Sequence, residues 1–234
     1  MSSKWRTYLS PNGIFRELGI ILTCLVCVVG VWAFIIISDR VTDNKTRSLD
    51  EYVMTSFRTS SDLGDPIGPE WSEEIARDVT ALGSKTLLTF IVLAVAGFLF
   101  LKKQYAQGWL IILVSLAGVL LGTGLKMFFV RERPDLVPHL SSAYNTSFPS
   151  GHTMMSAVIY ISLAAMLSFF QKTRRVKFYS ITIALVATFL VGLSRIYLGV
   201  HYPTDVLAGW AVGLAWAAFC WVIFRYINYN FIKD

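Results

Sequence analysis

The stretch Ser194–Asp205, SRIYLGVHYPTD, places an arginine, a histidine and an aspartate between two long apolar runs. His201 and Asp205 stand four apart, so a helix that starts near Pro203 sets the carboxylate about one turn past the imidazole. A carboxylate so placed accepts the Nδ1 proton, fixes the tautomer and leaves Nε2 bare as a nucleophile or base. Arg195, at the end of the preceding apolar run, offers a planar fork that matches phosphate oxygens.

Two more polar stretches fall in loops on the same expected side. In KMFFVRERP, Lys126 and Arg133 are separated by six residues. A lysine that deep in an apolar run is costly unless it snorkels or meets an anion. Alone it reads as a snorkelling lysine, and Arg131, Glu132 and Arg133 read as a solvated interface. In FPSGH, residues 148–152, Ser150 is placed to cap a helix and Gly151 removes side-chain bulk where a ligand approaches the backbone. The first-turn N–H groups then form an anion site, with His152 beside it to protonate a leaving oxygen. Pro-Ser-Gly is ordinary helix-start chemistry; the histidine after it is not explained that way.

Taken together, Lys126, Arg133, Arg195 and the helix N–H groups cradle a dianion beside two histidines. That is positioning plus charge neutralisation, the main requirement of phosphoryl transfer. The chain has no Walker-type loop and no cluster of carboxylates and histidines at metal-ligand spacing. The expectation is a site with no metal and no other cofactor, in which cationic side chains do the electrostatic work. On residues alone, which histidine attacks stays open.

The positioning elements are apolar. Of 234 residues, 55% are hydrophobic and 15% charged, and a mean hydropathy of +0.57 is too high for an ordinary soluble domain. Runs at 17–38, 86–101, 108–129, 154–170, 178–198 and 205–227 have the length or near-length of bilayer spans. The expected fold class is all-α, a polytopic membrane protein with six transmembrane helices in one bundle and residues 1–234 as a single domain. The first run follows Lys4, Arg6 and Arg16, but it is too long for a signal h-region and lacks a cleavage site, so it reads as a retained anchor. With both termini cytoplasmic, the basic tail, Lys102-Lys103 and the hairpin Gln171 to Lys177 lie inside, as the positive-inside rule requires. The chemistry-bearing loops then lie on the extracytoplasmic side. The net charge of +6 reflects this topology and gives no reason to invoke nucleic acid. Cys24, Cys27 and Cys220 fall inside spans and read as packing residues.

Residues 40–84 form the longest non-apolar segment, with turn chemistry at Gly64–Pro69. After it, WSEEIARDVTALGS reads as an amphipathic helix on the outer membrane surface. Ser72 is its N-cap, Glu73 and Glu74 suit its first turn, Gly83 stops it, and Trp71, Ile75, Val79 and Leu82 share its apolar face. It serves as a lid or merely caps the bundle. Gly118-x-x-x-Gly122 and Gly209-x-x-x-Gly213 predict close helix packing. Asn44-Lys45-Thr46 and Asn145-Thr146-Ser147 are glycosylation sequons, without meaning in a bacterial source, and His139 reads as a solvated loop histidine.

In chain order, Lys126-x6-Arg133-Pro134, Pro149-Ser150-Gly151-His152 and Ser194-Arg195-x5-His201-x3-Asp205 resemble the three-part signature of the type 2 phosphatidic acid phosphatase (lipid phosphate phosphatase) superfamily. The match covers residues 126–205 without departure at a signature position, and the six-span layout resembles that family's membrane branch. The resemblance implies that His201 attacks phosphorus to form a phosphohistidine and that Asp205 orients it. It implies that His152 protonates the leaving group and then activates water, and that Lys126, Arg133, Ser150, Gly151 and Arg195 bind phosphate oxygens. Ser194 helps place Arg195. The implied substrate is a lipid phosphate or diphosphate in the bilayer, of the undecaprenyl diphosphate, phosphatidate, phosphatidylglycerophosphate or lipid A class. A lipid-to-lipid phosphotransferase and a catalytically silent lipid-binding protein are the alternatives. The spans argue against the related soluble vanadium haloperoxidases, and polar residues at span ends argue against a transporter. Oligomeric state is not specified.

Overall fold

The structure, a computed structural model, describes residues 11–141, 146–171 and 173–231. The basic tail before residue 11, Lys172 and the sequon asparagine Asn145 lie outside the described residues. Among the described residues eight helices follow in order: α1 Pro11–Thr42, α2 Arg47–Thr55, α3 Trp71–Ala81, α4 Lys85–Leu101, α5 Tyr105–Phe128, α6 Gly151–Phe170, α7 Arg174–Tyr197 and α8 Pro203–Phe231. Among the described residues there is no strand, only an isolated bridge between Arg58 and Pro66.

Five of these helices are long and apolar enough to cross a bilayer: α1, α5, α6, α7 and α8. Helix α4 has 17 residues, about 25 Å at 1.5 Å per residue, which is short of a hydrocarbon core. It becomes a sixth span when joined to α3 across a 43° bend. Ser84 makes the restart: in an extended conformation it accepts the Leu87 N–H at 3.3 Å. The protein is a multi-pass, all-helical membrane protein. Several helices outrun their apolar windows, because backbone hydrogen bonding continues into the polar interface after hydropathy stops. Thus α1 extends beyond 17–38 at both ends, and α6 and α8 begin at Gly151 and Pro203, ahead of the expected 154 and 205.

Helix α8 is the centre of the bundle and packs against both α1 and α6, while α6 also lies along α7 and α5. Its glycines allow this approach. A Cβ on Gly209 would stand 2.9 Å from the Ser150 carbonyl oxygen, and one on Gly213 would stand 2.7 Å from the Met154 oxygen. The Gly209/Gly213 pair thus serves the α6–α8 contact inside one chain.

Helix α3 turns Ala76 and Thr80 inward towards α7 and leaves Trp71 and Ile75 exposed, whereas Val79 of the expected apolar face is half-buried. One expectation is corrected. Ser72 is not the N-cap; α3 starts at Trp71, and the Ser72 hydroxyl donates to the Pro69 carbonyl at 2.6 Å and meets the Tyr197 hydroxyl at 2.7 Å. A tertiary partner across the loop outcompetes the local cap. The second difference is α2, which forms where only loop was expected and turns Asp50 and Met54 into the interior.

Gly213→Leu is expected to overpack the α6–α8 contact and destabilise the protein by about 1–3 kcal/mol, seen as a lower Tm in detergent. An unchanged Tm would show that the contact yields more easily than its geometry implies.

Candidate active site

The loop after α7 is built to return the chain. The helix ends with Leu198 N–H on Ser194 O and Val200 N–H on Arg195 O. Gly199 then takes φ +74°, a left-handed conformation that suits glycine. Arg58, buried beneath this turn, donates to the Tyr197 carbonyl at 3.0 Å. Two residues later His201 is buried, and Pro203 opens α8.

Asp205 lies in the first turn of α8 with no solvent exposure. Its Oδ2 accepts the Tyr202 N–H at 3.0 Å and faces His201 Nδ1 at 3.3 Å. On the other ring nitrogen, Nε2 is 3.3 Å from Arg133 Nη1. A carboxylate can only accept and a guanidinium can only donate, so Nδ1 carries the proton and Nε2 a lone pair. Burial holds the His201 imidazole well below its ordinary pKa of 6.5, and the charges of Arg195, Arg133 and Lys126 act in the same direction. The ring is neutral, with the Nε2 electron pair facing the Arg133 guanidinium.

The other predicted residues gather around it. The Ser150 N–H donates to the Asp205 carbonyl at 3.0 Å, tying the start of α6 to the start of α8. Ser150 is the N-cap of α6 but makes no side-chain cap bond; its hydroxyl accepts from Thr153 at 2.9 Å. The first-turn N–H groups after it therefore lack an intrahelical acceptor. Lys126, in the last turn of α5, lies over this helix start, with its Cε 3.6 Å from where a Cβ on Gly151 would be. Its ammonium donates to Thr146 O at 2.8 Å. Arg133 Nη1 also donates to Val200 O at 2.6 Å. Arg195, buried near the end of α7, donates through Nη1 to Thr80 Oγ1 at 3.0 Å, while its buried Nε has no partner among the described residues. His152 is half-buried on α6 against the Gly83 turn, within electrostatic reach of Arg195, His201 and Arg133. All three sequence blocks therefore meet at one end of the bundle.

Ser194 donates to the Val191 carbonyl of its own helix, and His139 sits in the exposed loop with Nε2 2.6 Å from the Pro134 carbonyl. Arg131 departs from expectation. It is not part of a solvated interface: its side chain is 15% exposed and bridges two fully buried carboxylates, Asp205 at 2.6 Å and Asp50 at 2.7 Å. It also lies over the Tyr202 ring at 4.3 Å. Asp50 carries no sequence signal, because a lone aspartate in an acidic loop has the composition of a solvated one.

A family model described as the PAP2 superfamily matches residues 107–229, over half of the chain. The chain belongs to the PAP2 superfamily. Among curated proteins this PAP2 chain is 36% identical over 186 residues to phosphatidylglycerophosphatase B of Bacillus subtilis (strain 168), covering 77% of this chain and 86% of that one. It is 36% identical over 154 residues to the lipid A 4'-phosphatase of Porphyromonas gingivalis, covering 59% and 62%. Among solved structures it matches the transmembrane PAP2-type phosphatidylglycerolphosphate phosphatase from Bacillus subtilis with a TM-score of 0.78 and 32% identity, over 86% of this chain and 96% of that one. Lys126, His152, Arg195 and His201 come from the end of α5, the start of α6, the end of α7 and the loop that follows it.

Two outcomes follow from this geometry. Arg131→Met leaves Asp50 and Asp205 buried without their shared cation, and a loss of about 3–5 kcal/mol is expected in denaturant midpoints. A depressed imidazole pKa also means that the unfolded chain takes up a proton that the folded chain refuses. Stability linked to His201 is therefore full above about pH 6.5 and is lost as pH falls below it. His201→Gln should flatten the acid-side fall in Tm; an equally steep fall would show that other groups set it.

Proposed function

We propose that this protein is an integral membrane phosphatase that removes the terminal phosphate of a lipid phosphate or diphosphate through a phosphohistidine on His201. The observation that carries the reading is His201 itself. Its Nδ1 proton is committed to Asp205, and its unprotonated Nε2 faces Arg133 Nη1 at 3.3 Å.

In this reading, phosphate oxygens occupy the space between Lys126, Arg133, Arg195, the Ser150 hydroxyl and the first-turn N–H groups of Gly151 and His152. Nε2 attacks phosphorus, the P–O bond to the lipid breaks, and His152 gives its proton to the departing oxygen. The imidazole that becomes cationic on bonding to phosphorus is stabilised by Asp205. His152, now neutral, takes a proton from water as the water attacks phosphorus. The P–N bond breaks, its electrons return to Nε2, and inorganic phosphate leaves. Preorganised positive charge suits a transferring phosphoryl group without further assistance.

The relatives' names support a lipid substrate, and a phosphatidylglycerophosphate-type head group is favoured by the Bacillus subtilis relative, whose match covers 77% of this chain. Residues 1–234 would act as a single domain. The site would lie on the extracytoplasmic face, opposite the basic hairpin between α6 and α7, with both termini cytoplasmic. No metal or nucleic acid has a part in the scheme.

The test is phosphate release by purified protein from a panel of phosphatidate, phosphatidylglycerophosphate, undecaprenyl diphosphate and a lipid A phosphate, with chelator present. Turnover of at least one is expected. His201→Ala is expected to abolish turnover, and His152→Ala to cut it by roughly 100-fold or more. Wild-type turnover by folded His201→Ala would remove the phosphohistidine.

A further inference from the structure

Helix α2 lies in the long first loop, outside the three sequence blocks, yet it delivers a carboxylate to their centre. Asp50 is fully buried, and each of its oxygens has a partner. Oδ1 accepts the Thr204 N–H at 3.0 Å; Oδ2 accepts the Thr204 hydroxyl at 2.7 Å and Arg131 Nη2 at 2.7 Å. Arg131 Nη1 donates to Asp205 Oδ1 at 2.6 Å and to Thr204 Oγ1 at 2.8 Å. One guanidinium is therefore divided between two carboxylates, one arm to each.

That division has a consequence for His201. An arginine facing a single carboxylate tends to pair fork to fork and engage both oxygens. Asp205 needs Oδ2 for the His201 Nδ1 proton and the Tyr202 N–H, and only its Oδ1 is given to Arg131. Asp50 occupies the arm that would otherwise reach for Oδ2. It also supplies a second negative charge beside Arg131, so Asp205 is not the sole counter-ion to that arginine.

We propose that Asp50 is a positioning residue for the reaction: by holding one arm of Arg131, it reserves Oδ2 of Asp205 for His201. This rests on the reading of His201 as nucleophile. Asp50 touches none of the three cations assigned to the phosphate, since its partners are Arg131 and Thr204. The proposal therefore separates turnover from anion binding, whereas a merely structural role would disturb both.

The experiment uses the full chain in detergent, with short-chain phosphatidic acid as substrate and inorganic phosphate as competitive inhibitor. Wild type, Asp50→Asn and His201→Ala are compared, and Tm serves as the folding control. Asparagine keeps the shape and the acceptor for Thr204 N–H but removes the charge. Folded Asp50→Asn is expected to lose about 10- to 100-fold in kcat, the scale of a misplaced reacting group. KM and the phosphate Ki should stay within about twofold of wild type, because uniform binding is intact. Wild-type kcat in folded Asp50→Asn overturns the proposal. So does a parallel loss of kcat and phosphate affinity, which marks general disruption. If Asp50→Asn does not fold, Arg131→Lys takes its place. A lysine keeps the charge but cannot give one arm to each carboxylate, and the same split of reduced kcat with unchanged Ki is expected; wild-type kcat overturns the proposal. A folded, active His201→Ala would sink the underlying site reading, whereas inactive His201→Ala beside fully active Asp50→Asn sinks only the role of Asp50.

Discussion

The structure depends on how it handles positive charge in a place with little water. Lys126, Arg131, Arg133 and Arg195 converge at one end of a helix bundle, where screening is weak and repulsion correspondingly strong. Arg131 is offset by two buried carboxylates. Lys126 and Arg195 are instead held by neutral oxygens, Thr146 O and Thr80 Oγ1, which aim them without cancelling their charge. The cluster thus holds one arginine that is internally compensated, and a lysine and an arginine, Lys126 and Arg195, that leave a positive field. A neutral histidine survives there because burial first, and then the positive field of its neighbours, opposes its protonation.

Much of this was legible in the amino-acid sequence, for identifiable reasons. Apolar run length is a bulk property, so the spans were readable, and their errors sit at ends where hydrogen bonding outlasts hydropathy. His201 and Asp205 were readable as partners because both sit on one local turn, and local geometry follows from spacing. Asp50 and Arg131 were not. Their partnership joins residues 81 apart in the chain, and neither has a pattern that separates a buried ion from a surface one. Ser72 failed for a related reason: the Tyr197 hydroxyl lies 125 residues away, and no local rule weighs such a partner against a cap.

The first loop therefore does more than cover the bundle. Arg58 holds the end of α7, Asp50 reaches the start of α8, and Thr80 steadies Arg195. The α3 helix is joined to this frame by Arg77 on the Leu140 carbonyl and by the Tyr160 hydroxyl on the Leu82 carbonyl just past its end. These contacts belong to one hydrogen-bonded assembly, so disturbance of α3 is felt at the Arg195 guanidinium.

The bond between Asp50 and Thr204 also sets an order of construction. Its two ends are separated by 154 residues, and the first span packs on the last. During synthesis from the N-terminus, the loop carrying Asp50 emerges long before α8 exists to receive it, and its carboxylate remains hydrated until then. Dehydration of the ionic centre must wait for the final helix to enter the bilayer. Any nascent chain stopped before that point carries most of the apolar scaffold but only a wet, open version of the centre.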